Sequence, residues 1–340
     1  MSTGEAIGHG TYSIGPGDRS LPDPGFDLPA TRLLDAPPGT CRCFEVTFLV
    51  FLPEPLVIQP AFAPAPEGQV TRSSDPAHLV LLHGLASSPK EFGLLARPLQ
   101  REGIVLHTPT INGYSHASPP HAARWQDWLD ASCDVVDRIA QRHGPVVLGG
   151  LCTGAVLALG VAAREAAGPI CGLALLSPLL AYDGWALPWW YGLRRLAYLL
   201  RLEDHFFMRE RPPYGLKNER LRQWVRQQMD GGEATLAGPA QISLHAVRES
   251  ERISREANTW FKDLSVPTLV LHAREDEICS LASVQKVVSR FPTRLLELVV
   301  LEDSYHMITA DNDRQQVADR LARHARACLA AGVRTQSAVG

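Results

Sequence analysis

The stretch PVVLGGLCTGAVLALGVAA, residues 145–163, decides the fold. A short β-branched run, Pro145 to Leu148, enters a glycine pair, and a helix of small residues is predicted from Thr153 to Ala166. Between them, Gly150-Leu151-Cys152-Thr153-Gly154 has the form of a nucleophile elbow, with Cys where Ser is usual. Such a turn holds its central residue in a strained backbone conformation and crowds the positions two residues either side. Gly150 and Gly154 suit those positions because they carry no side chain. The helix that follows aims free N–H groups and the positive end of its dipole at the sulfur, which favours the thiolate.

Outward from the elbow, short apolar runs alternate with helical spacings. His78–Leu82 reads as a strand, Pro89–Arg101 as an amphipathic helix, and Gly103–His107 as a second strand. Trp125–His143 is helical, with Gly144 as its stop, and Ile170–Leu176 is another strand. Val266–His272 and Arg294–Leu301 resume the pattern, and Arg314–Ala331 closes it as a helix. This alternation predicts an α/β fold with a mostly parallel central sheet flanked by helices. Residues 179–262 break the rhythm. They hold Trp185, Trp189, Trp190, Trp224 and Trp260, five of the seven tryptophans, with basic patches at Arg194-Arg195 and from Arg220 to Arg226. They read as a mostly helical insertion. The expected division is a flexible leader at 1–40, a core at 41–178 and 263–333, and the insertion at 179–262. Further strands are expected between Cys43 and Ile58.

Composition narrows the function classes. A hydrophobic fraction of 45 % against 20 % charged residues suits a water-facing globular chain. The net charge of −3 gives no electrostatic reason for a nucleic-acid or anionic-membrane partner. Apolar runs are broken well before the roughly 20 residues of a membrane helix, so no integral membrane segment is expected. The start of the chain lacks the basic and apolar parts of a signal peptide. Seven scattered cysteines point to free thiols in a reducing, cytoplasmic setting. Cys41 and Cys43 have no second ligand pair nearby, so no metal site is expected.

Four motifs carry a resemblance to a known family: LVLLHGLASSPKEF (79–92), GLCTGA (150–155), LVLHAREDEI (269–278) and EDSYHMITAD (302–311). With them the chain resembles the α/β-hydrolase superfamily, in particular the bacterial carboxylesterase and monoacylglycerol-lipase-like branch of serine aminopeptidase S33 type, over residues 78 to about 328. The order nucleophile, acid, histidine is that of this fold. The resemblance implies a triad of Cys152, Asp276 and His306. His306 lies on the loop between the last strand and the closing helix, and Asp276 follows the strand Val266–His272. It also implies an oxyanion hole made by the backbone N–H groups of Leu85 and Thr153, no cofactor, and a cap at 179–262 over the site. Trp185, Trp189 and Trp190 are candidate walls of an acyl pocket. Glu275 and Glu277 read as solvated loop charges, and His83 as a structural support of its loop.

These expectations describe an acyl-ester hydrolase acting on a small or lipid-like ester through a thioester intermediate. Cys in the elbow also resembles dienelactone hydrolases and polyhydroxyalkanoate synthases and depolymerases. That keeps an acyltransferase or polyester-handling enzyme as an alternative, and a non-catalytic binding protein on the same scaffold as another. The sequence does not give the oligomeric state.

Overall fold

The computed structural model describes residues 76–116, 123–164, 168–229, 235–291 and 295–337. The leader 1–40, the strands expected between Cys43 and Ile58, and the pair Cys41 and Cys43 lie outside the described residues. The strands are β1 (Ala77–Leu82), β2 (Ile104–His107), β3 (Val146–Leu151), β4 (Ile170–Leu176), β5 (Phe207–Arg209), β6 (Gln241–Ser243), β7 (Thr268–Ala273) and β8 (Leu296–Leu301). The α-helices are α1 (Gly93–Arg101), α2 (Trp125–His143), α3 (Thr153–Arg164), α4 (Arg194–Leu199), α5 (Glu219–Met229), α6 (Leu244–Trp260), α7 (Leu281–Val288) and α8 (Arg314–Ser337).

Six strands form one parallel sheet in the order β2-β1-β3-β4-β7-β8. Parallel strands buried on both faces favour apolar side chains throughout, which is why β1 from Leu79 to Leu82 reads as an unbroken apolar run and β3 adds only glycine to its apolar residues. The period of two then sorts those side chains by face. Val80, Leu82, Val146 and Leu148 join Trp128 of α2, Leu157 of α3 and Ile253 of α6 in one core. Leu79, Leu81, Val147 and Leu151 join Leu95 and Leu99 of α1 and Leu321 of α8 in the other. The chain steps from β1 outward to β2 and then back past β1 to β3. The carboxyl ends of β1 and β3 therefore flank the point where strand order reverses, the usual place for a site in an open α/β sheet.

Two elements depart from expectation. Pro89–Arg101 is a 3₁₀ turn, Pro89–Phe92, followed by α1, because Glu91 and Phe92 both turn inward and are buried. The segment 179–262 contains the antiparallel pair β5–β6 besides its helices. Two three-residue strands about thirty residues apart leave no hairpin signal in a sequence. Within the same segment α6 packs on α2 and α3, so its apolar face completes one core. Among the described residues no helix is long and apolar enough to cross a membrane.

Candidate active site

The elbow is built by steric exclusion. Cys152 follows the last residue of β3 and precedes the first of α3, at φ +59°, a left-handed conformation that costs a non-glycine residue free energy. A Cβ on Gly150 would stand 2.3 Å from the carbonyl of Gly154. One on Gly154 would stand 2.2 Å from the carbonyl oxygens of Leu82 and His83. The turn and the end of β1 thus touch backbone to backbone, and only glycine permits it. The Cys152 N–H donates to the Leu176 carbonyl at 3.0 Å, which ties the turn to β4.

Facing the sulfur is a buried acid–imidazole pair. His306 sits on the loop between β8 and α8, and its Nδ1 lies 2.8 Å from Asp276 Oδ2. Asp276 follows β7, and its Oδ1 accepts the N–H groups of Ile278 and Cys279, each at 2.9 Å. Burial favours the neutral acid, but His306, His272 and these N–H donors outweigh it and hold the Asp276 carboxyl below its ordinary range. Burial likewise opposes a charge on His306, and Asp276 and Cys152 overcome that opposition, so its proton affinity rises well above the ordinary value. His306 Nε2 is buried and takes no hydrogen bond from the described residues. It is the ring atom left free to exchange a proton.

The supports of this site were only partly foreseen. Glu277, read as a solvated charge, is buried, and its Oε2 accepts the His306 N–H at 2.9 Å. Glu275 alone keeps the exposed role, paired with Lys217. Burial raises the Glu277 carboxyl to about 7. Asp311 is buried and accepts the N–H groups of Tyr305, Lys217 and Asn218, tying the histidine loop to the segment 179–262.

On the other side, Glu91 Oε2 accepts the Gly84 N–H at 2.7 Å, and burial raises that carboxyl to about 7. His83 is buried with Nε2 2.7 Å from the Ser115 hydroxyl, and Tyr114 donates to its carbonyl at 2.9 Å. Leu85 follows this clamped loop and lines the cavity above Cys152. Thr153 opens α3, so its N–H is one of the helix's free donors, while its hydroxyl pairs with Ser250 at 2.9 Å. Nothing in the local pattern marks Glu91 as buried: a glutamate in a polar turn ordinarily faces water.

A cavity of about 360 Å³ brings Cys152, His306, Leu85 and Glu277 together under residues of the 179–262 segment. Of the three tryptophans proposed as its walls, only Trp190 lines it. Trp185 packs edge-on against Tyr305 and donates to the Glu275 carbonyl at 3.0 Å, outside the cavity. Trp189 is 90 % exposed. Both leave the pocket because they sit on a short excursion whose inward positions are taken by Leu187, Pro188, Trp190 and Tyr191. Met307 lines the cavity, whereas Cys279 is buried behind Asp276.

A family model described as serine aminopeptidase, S33, matches residues 73–313. The chain belongs to the serine aminopeptidase S33 family. Solved structures agree on the fold. A monoglyceride lipase from Saccharomyces cerevisiae, solved as a soluble variant with a substrate analogue, is 16 % identical with a TM-score of 0.62, over 76 % of this chain and 88 % of that one. A monoacylglycerol lipase from Paleococcus ferrophilus is 16 % identical with a TM-score of 0.59, over 75 % and 96 %. A structure from work on the metagenome-derived lipolytic enzymes LipS and LipT is 21 % identical with a TM-score of 0.59, over 74 % and 94 %. No curated protein sequence matches the chain. The chain is thus an α/β-hydrolase, and its elbow holds Cys152 where the family description names serine.

Proposed function

We propose that this S33-family chain hydrolyses acyl esters through Cys152, His306 and Asp276. The observation that carries the reading is the buried His306–Asp276 pair, 2.8 Å apart, whose free Nε2 and the Cys152 sulfur share one largely apolar cavity. Such a pair suits general-base catalysis: the carboxylate orients the imidazole and stabilises its charged form.

The sulfur attacks the ester carbonyl carbon while its proton resides on His306. The carbonyl π electrons move to oxygen, where the N–H groups of Leu85 and Thr153 receive the developing charge. Collapse of this intermediate breaks the acyl C–O bond, and the departing alkoxide takes the proton from His306. Water then gives a proton to His306 and attacks the thioester. The carboxylic acid leaves, and the sulfur recovers its proton. No step requires a metal or organic cofactor. We take residues 179–262 as the cap, with Trp190 on the acyl side of the cavity. The free Cys152, Cys171, Cys279 and Cys328 among the described residues support a reducing, cytoplasmic setting.

A p-nitrophenyl ester chain-length series on the wild type and on Cys152→Ala tests the reading. Turnover that vanishes in the variant supports it, and turnover that survives refutes it. Added alcohol, thiol or amine acceptors separate the alternatives: acyl transfer that outruns hydrolysis would make the chain a transferase with the same triad.

A further inference from the structure

Ten of the thirteen large apolar side chains that stand exposed among the described residues fall between Trp185 and Phe207. Trp189 is 90 % exposed, Leu199 78 % and Leu193 63 %, and α4 buries none of its residues. An exposed apolar stretch this dense marks a surface that meets something. Its charge says what. From Trp185 to Phe207 the chain carries Arg194, Arg195 and Arg201 against Glu203 and Asp204. Arg194 is anchored inward by Glu251 and lies over the Tyr191 ring at 3.7 Å. Arg195 and Arg201 are exposed, line an open groove beside the stretch, and make no ion pair with a described residue. The acids of that groove are engaged elsewhere: Glu203 with Arg248, Glu249 with Arg252, and Asp204 with His245.

We propose that the segment Trp185–Phe207 docks the enzyme on the surface of an anionic lipid bilayer, its apolar side chains entering the interface and Arg195 and Arg201 reaching the headgroup phosphates. Tryptophan and leucine beside arginine is the composition of an interfacial segment, and long basic side chains keep their heads at phosphate level while their stems lie on hydrocarbon. The net charge of −3 conceals this because it averages the whole chain, whereas a bilayer meets one face. The location gives the docking a use. Trp190 and Phe207 of the same segment also line the cavity above Cys152, so the docked face forms the cavity's outer wall. The inference goes beyond the proposed hydrolysis and does not depend on it, because attachment is read without turnover.

The test is flotation of the full chain with vesicles of phosphatidylcholine alone and of phosphatidylcholine with phosphatidylglycerol, at low and high salt. The wild type is expected to float with the anionic vesicles and to release as salt screens the headgroups. Arg195→Gln with Arg201→Gln should weaken anionic binding by about fivefold per arginine. Leu196→Ser with Leu199→Ser should abolish it. These residues are exposed, so unchanged melting curves and unchanged hydrolysis of a short soluble ester will show that both variants fold. A wild type that ignores both vesicles overturns the proposal. Equal binding to both vesicles, unaffected by the arginine pair, overturns it as well. So does a soluble dimer that Leu196→Ser with Leu199→Ser dissociates, because the face would then belong to a second copy.

Discussion

The sheet core and the segment 179–262 use apolar side chains in opposite ways. Around β1 and β3 nearly every apolar residue is buried, and the backbone passes so close that glycine is required at positions 150 and 154. Between Trp185 and Phe207 the same residue types face outward. On the proposed mechanism the core must hold reacting atoms to a fraction of an ångström, which close packing achieves. The segment 179–262 supplies part of a cavity wall and, on the proposed docking, a face for a bilayer, so its surface should tolerate change.

The contrast predicts a graded series. Asp276→Asn leaves the shape of the core but removes the charge that orients His306. The expected loss in kcat is on the order of 10⁴, about 5 kcal/mol, with little change in melting temperature. Gly154→Ala should destabilise the fold by about 3 kcal/mol, read in denaturant melts, because the new Cβ meets two carbonyl oxygens. Glu91→Ala leaves the Gly84 N–H buried without its partner and should cost about 1–3 kcal/mol of stability. Trp189→Ala, at the other extreme of exposure, should stay within about 0.5 kcal/mol. A Trp189 effect as large as that of Glu91 would erase the distinction between the two regions.

Glu91→Gln sharpens the core side further. In the folded chain Glu91 is raised to about 7, against about 4.3 for an ordinary glutamate. The folded state therefore binds more protons between those values, and stability falls as pH rises from about 4.3 to 7. Glu277 and Glu210, also raised to about 7 by burial, add to the same slope. Glu91→Gln keeps an acceptor for Gly84 and removes one of these three titrations. Its stability should fall less steeply across that window, measured as melting temperature against pH. An unchanged slope would show that Glu91 does not titrate there.

Legibility followed the same division. The elbow, the parallel sheet and the loops bearing Asp276 and His306 were readable because backbone crowding and apolar strand runs leave residue-type signatures at short range, whereas the strand order came only with the structure. Glu277 was misread because its partner, the His306 N–H, lies 29 residues away, and adjacent acids look alike in a sequence. Glu91 gave no sign for the same reason. Trp185 and Trp189 were assigned to the pocket because aromatic residues ordinarily seek burial, and nothing local records that Trp190 and Tyr191 had taken the inward positions. The pair β5–β6 escaped because each strand has only three residues.

The most direct measurement is rapid quenching of the wild type with an activated ester, followed by intact-mass and peptide mapping. The account predicts one acyl group on the peptide containing Cys152, released by neutral hydroxylamine and absent from Cys152→Ala. An acyl group on another residue, or turnover by Cys152→Ala with no adduct on the wild type, would contradict it.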